Sequence, residues 1–145
     1  MNSDKTAGDG NIIVTSVDKQ RLLALIEQSY QRNQHTGAEA GMVMRRLRAA
    51  QELPPEKVPR DVVTMNSTFS LRSLDGKEQR ELTLVYPEDH DPDEGCWSVF
   101  GPVGAALYAL RVGDELELAL PKTEGRRWRL DNVIFQPEAR GWMSL

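Results

Sequence analysis

The spacing of apolar residues changes part-way along the chain. From Val17 to about Arg32, Leu22, Ile26 and Tyr30 recur at i, i+4 and i+8, joined by Leu23 and Leu25, while Lys19, Arg21, Glu27 and Gln28 fill the other face. One apolar stripe at a 3.6-residue period predicts a helix. Thr15-Ser16 supplies its N-cap, and Asp18 puts a negative charge in the first turn, where it suits the helix dipole. Asn33-Gln34-His35-Thr36-Gly37 reads as a turn. A second helix is predicted from Ala38 to Leu53, with Val43, Leu47 and Ala50 apolar, Met42 and Met44 flanking them, and Pro54-Pro55 as the stop. Two helices of about 16 residues with a short connection predict an antiparallel hairpin with arms about 24 Å long. Ahead of them, Asn11-Ile12-Ile13-Val14 either docks as a strand or packs under a helix, and residues 1–11 read as a flexible leader.

Beyond Glu52–Arg60, a stretch with three prolines expected to act as a stiff linker, the period becomes two. Val62–Leu71 and Arg80–Tyr86 read as strands joined by an Asp75-Gly76 turn. Pro87–Gly95 is an acidic loop, and Trp97-Ser98-Val99 is a third strand. Pro102 stands where proline suits the first turn of a short helix, which runs to Ala109. Leu116–Leu120 and Arg127–Phe135 complete five strands, and an irregular tail follows Pro137. The expectation is an α+β chain: leader 1–11, helical hairpin 12–58, and a strand-rich domain 59–145.

Composition narrows the classes of function. The 145 residues are 39% hydrophobic and 28% charged, with no apolar run near the roughly 20 residues that span a bilayer. The N-terminus has no secretory pattern, so a cytoplasmic protein without membrane contact is expected. The single Cys96 excludes an internal disulfide. A net charge of −4 argues against direct nucleic-acid binding. The charge is uneven, +1 over residues 1–58 and −5 over residues 59–145.

Candidate chemistry is sparse. Glu88-Asp89-His90-Asp91-Pro92-Asp93-Glu94 is dense in oxygen donors, but Pro92 interrupts it and Gly95 comes too late for a calcium loop, so it reads as a solvated acidic loop. His35 and His90 lie far apart, and neither neighbours a nucleophile with an orienting acid. No Cys/His cluster with metal-ligand spacing and no phosphate-cradling glycine loop is present; no metal and no cofactor are expected. Arg45, Arg46 and Arg48 make the second helix basic, as a solvated face or as a contact for an acidic surface. Arg126, Arg127 and Arg129 suit a protected sheet edge.

Four segments in order resemble one family: Asp61-Val62-Val63-Thr64-Met65-Asn66-Ser67; Thr83-Leu84-Val85-Tyr86-Pro87; Ala105-Ala106-Leu107 with Arg111-Val112-Gly113-Asp114; and Gln136-Pro137-Glu138-Ala139. Together they are similar to the bacterial regulator of nucleoside diphosphate kinase (Rnk) family, which belongs with the Gre transcript cleavage factors of RNA polymerase. The resemblance runs over about residues 12–140 and is dense from Pro59. It implies a hairpin shorter than the Gre coiled coil on an FKBP-like domain of about five strands and one short helix. It also implies a monomer that binds RNA polymerase at the rim of its secondary channel.

In Gre factors the gripping loop precedes the small helix and has an Asp-Ser-Pro-like pattern. Here the matching loop is Phe100-Gly101-Pro102: Pro102 is retained, while Phe100 and Gly101 depart, replacing an acid by an apolar anchor. Gre factors act through acids at the coiled-coil tip that help hold a metal ion. This chain has one acid near the turn, Glu39, beside Gly37, and one carboxylate on a short arm argues against transcript cleavage. The expectation is therefore a non-catalytic transcription regulator that reaches DNA only through the polymerase, without sequence-specific nucleic-acid binding, and that influences nucleoside diphosphate kinase levels. The alternatives are direct binding to that kinase, a prolyl isomerase built on the same fold, and residual transcript cleavage through Glu39.

Overall fold

A computed structural model describes residues 12–31, 37–124 and 126–141. The expected leader 1–11, most of the turn at 33–37, the side chain of Tyr30 and the last part of the tail lie outside the described residues.

Strand β1 (Ile13–Thr15) leads directly into helix α1 (Ser16–Gln31). The cap is as the sequence predicts: the Asp18 amide donates to Thr15 Oγ1 at 2.8 Å, which satisfies one of the free amides of the first turn. Leu22 and Ile26 are buried on the apolar stripe. Helix α2 (Gly37–Ala49) buries Ala40, Val43 and Leu47. It does not reach Leu53. Gln51–Leu53 is a strand, β2, paired parallel to β1 in the register Ile13↔Gln51, Val14↔Glu52 and Thr15↔Leu53. Two effects end the helix early. Pro54 disfavours helical geometry at Leu53, and β1 offers the freed backbone partners, beginning with the Gln51 amide donating to the Ile12 carbonyl at 2.9 Å.

The proline stretch is not a free linker. Pro55–Lys57 forms one 3-10 turn, Pro55 and Val58 are buried, and the Gln136 amide donates to the carbonyls of Pro59 (2.8 Å) and Val62 (2.9 Å).

The remaining strands are β3 (Thr68–Ser73), β4 (Gln79–Val85), β5 (Cys96–Ser98), β6 (Glu115–Glu117) and β7 (Arg127–Phe135), with a short helix α3 (Pro102–Leu107) between β5 and β6. They form one curled sheet in the order β5-β4-β3-β7-β6, with β4–β5 parallel and the other pairs antiparallel. Strand β7 has the predicted bounds. Strand β3 begins six residues later than predicted because Val62 and Val63 pair elsewhere. Val63 exchanges backbone hydrogen bonds with Ala109 (3.0 Å) and Leu110 (2.8 Å), and Thr64–Ser67 then turns the chain through Asn66 at φ 67°. The Asp75-Gly76 turn is present, with Gly76 at φ 78°.

One core serves helices and sheet alike. Leu22, Val43 and Leu47 pack in the same cluster as Phe69, Leu71, Leu84, Trp128 and Leu130 from the sheet and Val103, Ala105 and Leu107 from α3. Helix α3 approaches β5 so closely that a Cβ on Gly104 would stand 1.9 Å from the Ser98 carbonyl oxygen. Only glycine fits there. Gly104→Ala is expected to lower stability by about 1–3 kcal/mol through overpacking, read as a lower urea midpoint with an unchanged slope.

Candidate docking corner and the helix–sheet junction

Two sites bear on function. The first is the corner Phe100-Gly101-Pro102, which leads from β5 into α3. Ser98 organises it. Its hydroxyl oxygen accepts the Phe100 amide at 3.1 Å, and its carbonyl accepts the Gly101 amide at 3.0 Å. Gly101 is the N-cap in extended geometry (φ −93°, ψ 167°), and Pro102 opens the helix. Pro102 is exposed, while Phe100 is half-buried, with part of its ring against the core. The corner thus presents a proline and part of an aromatic ring on a backbone fixed by two hydrogen bonds.

The other residues singled out from the sequence do not join it. Glu39 lies in the first turn of α2, half-buried and leaning back toward Gly37. Among the described residues no three His, Cys, Asp or Glu side chains group as metal ligands. The basic trio divides. Arg45 and Arg48 are exposed, but Arg46 turns inward, and its guanidinium donates to the Tyr108 carbonyl at the end of α3. Burial pushes the Arg46 pKa down, and the charge of Asp114 opposes that shift. Arg46 is a strut between α2 and α3, not part of a solvated basic face. Arg46→Met is expected to cost about 1–3 kcal/mol by leaving that carbonyl unpaired. Arg45→Ala and Arg48→Ala are expected to stay within about 0.5 kcal/mol, all by chemical denaturation.

The second site is the junction of α1 with the strand-rich region. Asp18 is 3% exposed, and its Oδ2 accepts the Met65 amide at 3.0 Å. Glu138 is 8% exposed, and its Oε1 accepts the Thr64 hydroxyl at 2.7 Å. Thr64 Oγ1 also lies 2.8 Å from Ser67 Oγ. Burial raises the Asp18 carboxyl from 3.8 to about 7; the Met65 hydrogen bond opposes that, and the charge of Glu138 adds to it. Burial likewise raises Glu138, against the Thr64 bond. Tyr86 is pushed up to about 12 by burial and by Asp18, and burial lifts Tyr108 well above its usual range. Two acids and two phenols therefore share a poorly solvated junction.

The sequence assigns Asp18 a first-turn charge that suits the helix dipole. The structure buries it, and the spacing carried the signal: Asp18, Leu22 and Ile26 lie at i, i+4 and i+8 on the stripe that faces the core. A folded-state pKa above the unfolded value means that the folded protein holds the proton longer, so stability is lost as pH rises from about 4 to about 7. The loss is expected to approach 1.4 kcal/mol per pH unit for one proton. Asp18→Asn, which keeps an acceptor for the Met65 amide, should flatten denaturation midpoints across that range.

The family model for "Transcription elongation factor, GreA/GreB, C-term" matches residues 58–133. A curated relative from Escherichia coli (strain K12), "Regulator of nucleoside diphosphate kinase", is 39% identical over 135 residues, covering 90% of this chain and 93% of its own length. The chain belongs to the regulator of nucleoside diphosphate kinase family. Its strand-rich part is a GreA/GreB C-terminal domain. "Transcription elongation factor GreA" from Chlorobaculum tepidum is 36% identical over 88 residues, which are 60% of this chain but 55% of that protein. The solved structure "Prokaryotic transcription elongation factor GreA/GreB from Nitrosomonas europaea" superposes with a TM-score of 0.75 at 36% identity, covering 86% of this chain and 99% of that one. The relatives are named as regulators and transcription factors, not as enzymes.

Proposed function

We propose that this protein is a non-catalytic regulator that docks on RNA polymerase at the rim of the secondary channel through Phe100, Gly101 and Pro102. In this reading residues 59–145 form an FKBP-like gripping domain, and residues 12–58 form a short hairpin that projects toward the channel mouth. The protein acts as a cytoplasmic monomer, competes with longer channel-binding factors, and touches nucleoside diphosphate kinase levels through transcription. The carrying observation is the corner itself: in a GreA/GreB-type domain, an exposed proline and a half-exposed aromatic ring are held by the Ser98 hydrogen bonds at the loop expected to grip. Aromatic anchors of this kind dominate interface energetics.

The length of the helices supports a role without cleavage. Helix α2 has 13 residues and α1 has 16, or about 20 and 24 Å at 1.5 Å per residue, and Glu39 stands without a second acid beside it in sequence. The isomerase alternative draws little support from the groove between β4, the acidic loop and residues 120–122. That groove, of about 420 Å³, has Leu82, Pro92, Leu120 and Pro121 in its wall, but one aromatic side chain, Trp97, and five charged ones, Arg80, Glu81, Asp93, Glu94 and Lys122. A proline-peptide site needs a mainly apolar, aromatic wall.

Wild-type protein is expected to be retained by immobilised core RNA polymerase, and no retention would refute the partner. Phe100→Ala with Pro102→Ala is expected to weaken binding at least tenfold, about 1.4 kcal/mol, measured well below the thermal midpoint of the variant, which the loss of the ring's contact with the core lowers. Binding as tight as wild type would move the contact elsewhere on the surface.

A further inference from the structure

The backbone of the corner is tied to an imidazole on the neighbouring acidic loop. His90 sits between two 3-10 turns, Pro87–Asp89 and Pro92–Glu94. Its Nδ1 accepts the backbone amide of Ser98 at 3.0 Å, and its ring meets that of Trp97 edge-on, with centroids 5.9 Å apart and planes at 71°. Strand β5 is the outermost strand of the sheet, so the Ser98 amide has no further strand to pair with and finds its partner in a side chain. The other two polar groups of Ser98, hydroxyl and carbonyl, hold Phe100 and Gly101, and the carbonyl also sets the approach of Gly104. All three polar groups of Ser98 are therefore committed, one toward His90 and two toward the corner.

We propose that His90 is a positioning residue for the Phe100–Pro102 corner, acting through Ser98 only while its imidazole is neutral. The binding half of this statement rests on the docking function proposed above; the structural half does not. A neutral imidazole carries its proton on Nε2 and accepts at Nδ1, whereas a protonated ring donates from both nitrogens. Protonation therefore sets an N–H against the Ser98 N–H and removes the tie. The charged groups around it are the exposed carboxylates of Glu88, Asp89, Asp91, Asp93 and Glu94 on its own loop. From β5 comes the Trp97 ring, while the Cys96 thiol points to the Glu94 carbonyl. Arg21 of α1 lines a depression with Tyr86 and Glu88, at the start of this loop. The corner itself carries no charge. Histidine is the side chain whose charge changes in the range over which such a device is useful.

The test compares wild type with His90→Asn, whose Oδ1 takes the acceptor position of Nδ1 and does not titrate, and with His90→Phe, which has no acceptor. Amide protection factors at Ser98, Phe100 and Gly101 are measured by NMR hydrogen exchange in the full chain at pH 8 and pH 5. Wild-type protection at these three amides is expected to fall at least tenfold at pH 5. His90→Asn is expected to keep it at both pH values, and His90→Phe to lack it at both. Because Asp18 is intact in all three proteins, its titration cannot produce a difference between them. Equal protection at both pH values in wild type, or a fall in His90→Asn that matches wild type, overturns the proposal. Retention on core RNA polymerase is then measured for the same proteins, with wild type expected to lose affinity at pH 5 relative to His90→Asn. If no variant binds polymerase at either pH, the docking function fails, and the protection factors still decide the role of His90.

Discussion

The close approach of Gly104 to the Ser98 carbonyl is the constraint on which the functional edge of this molecule depends. With no side chain between them, α3 lies against β5, and the chain connecting the two has room only for a tight corner. Phe100 is then drawn partly into the core, and Pro102 is left outside. A looser helix would allow the corner many conformations, and a partner would have to order them on binding. Here the ordering is done in folding, and the loop meets its partner already shaped.

A different principle governs the attachment of the helices. Their apolar stripe enters the common core, but the orientation is fixed by directional bonds: Asp18 to the Met65 amide, and Arg46 to the Tyr108 carbonyl. Both charged groups are withdrawn from water, and both are shifted toward neutrality by that withdrawal. Burying such groups is unfavourable unless each hydrogen bond is met. Hydrophobic contact alone would tolerate sliding of α1 and α2 over the sheet. These bonds tolerate little, because a displaced helix leaves a charged group buried without its partner.

The elements legible from the sequence were those that satisfy themselves locally. α1 has its own cap and stripe, β7 its alternation, and the β3–β4 turn its Asp-Gly pair. The ends of α2 and β3 were misread because distant segments claim their backbones: β1 captures Gln51–Leu53, and the stretch around Ala109 captures Val63. The four ordered motifs pointed to the family and to the corner. The junction was missed, since a single acid in a first turn looks solvated until its place on the apolar stripe is counted. Arg46 was missed for the opposite reason: three arginines in four positions look like one face, although a helix sends them in different directions.

The parallel pairing of β1 with β2 has a mechanical consequence. β1 leads into α1 and β2 follows α2, so the ladder closes the loop of chain that contains both helices. In parallel strands the chain enters the first at one end and leaves the second at the other. Tension between the segment ahead of β1 and the segment beyond β2 therefore loads the ladder in shear, with its rungs sharing the force, instead of unzipping them one at a time. The helices are mounted on a shear joint, and a pull along the chain reaches the core before it reaches them.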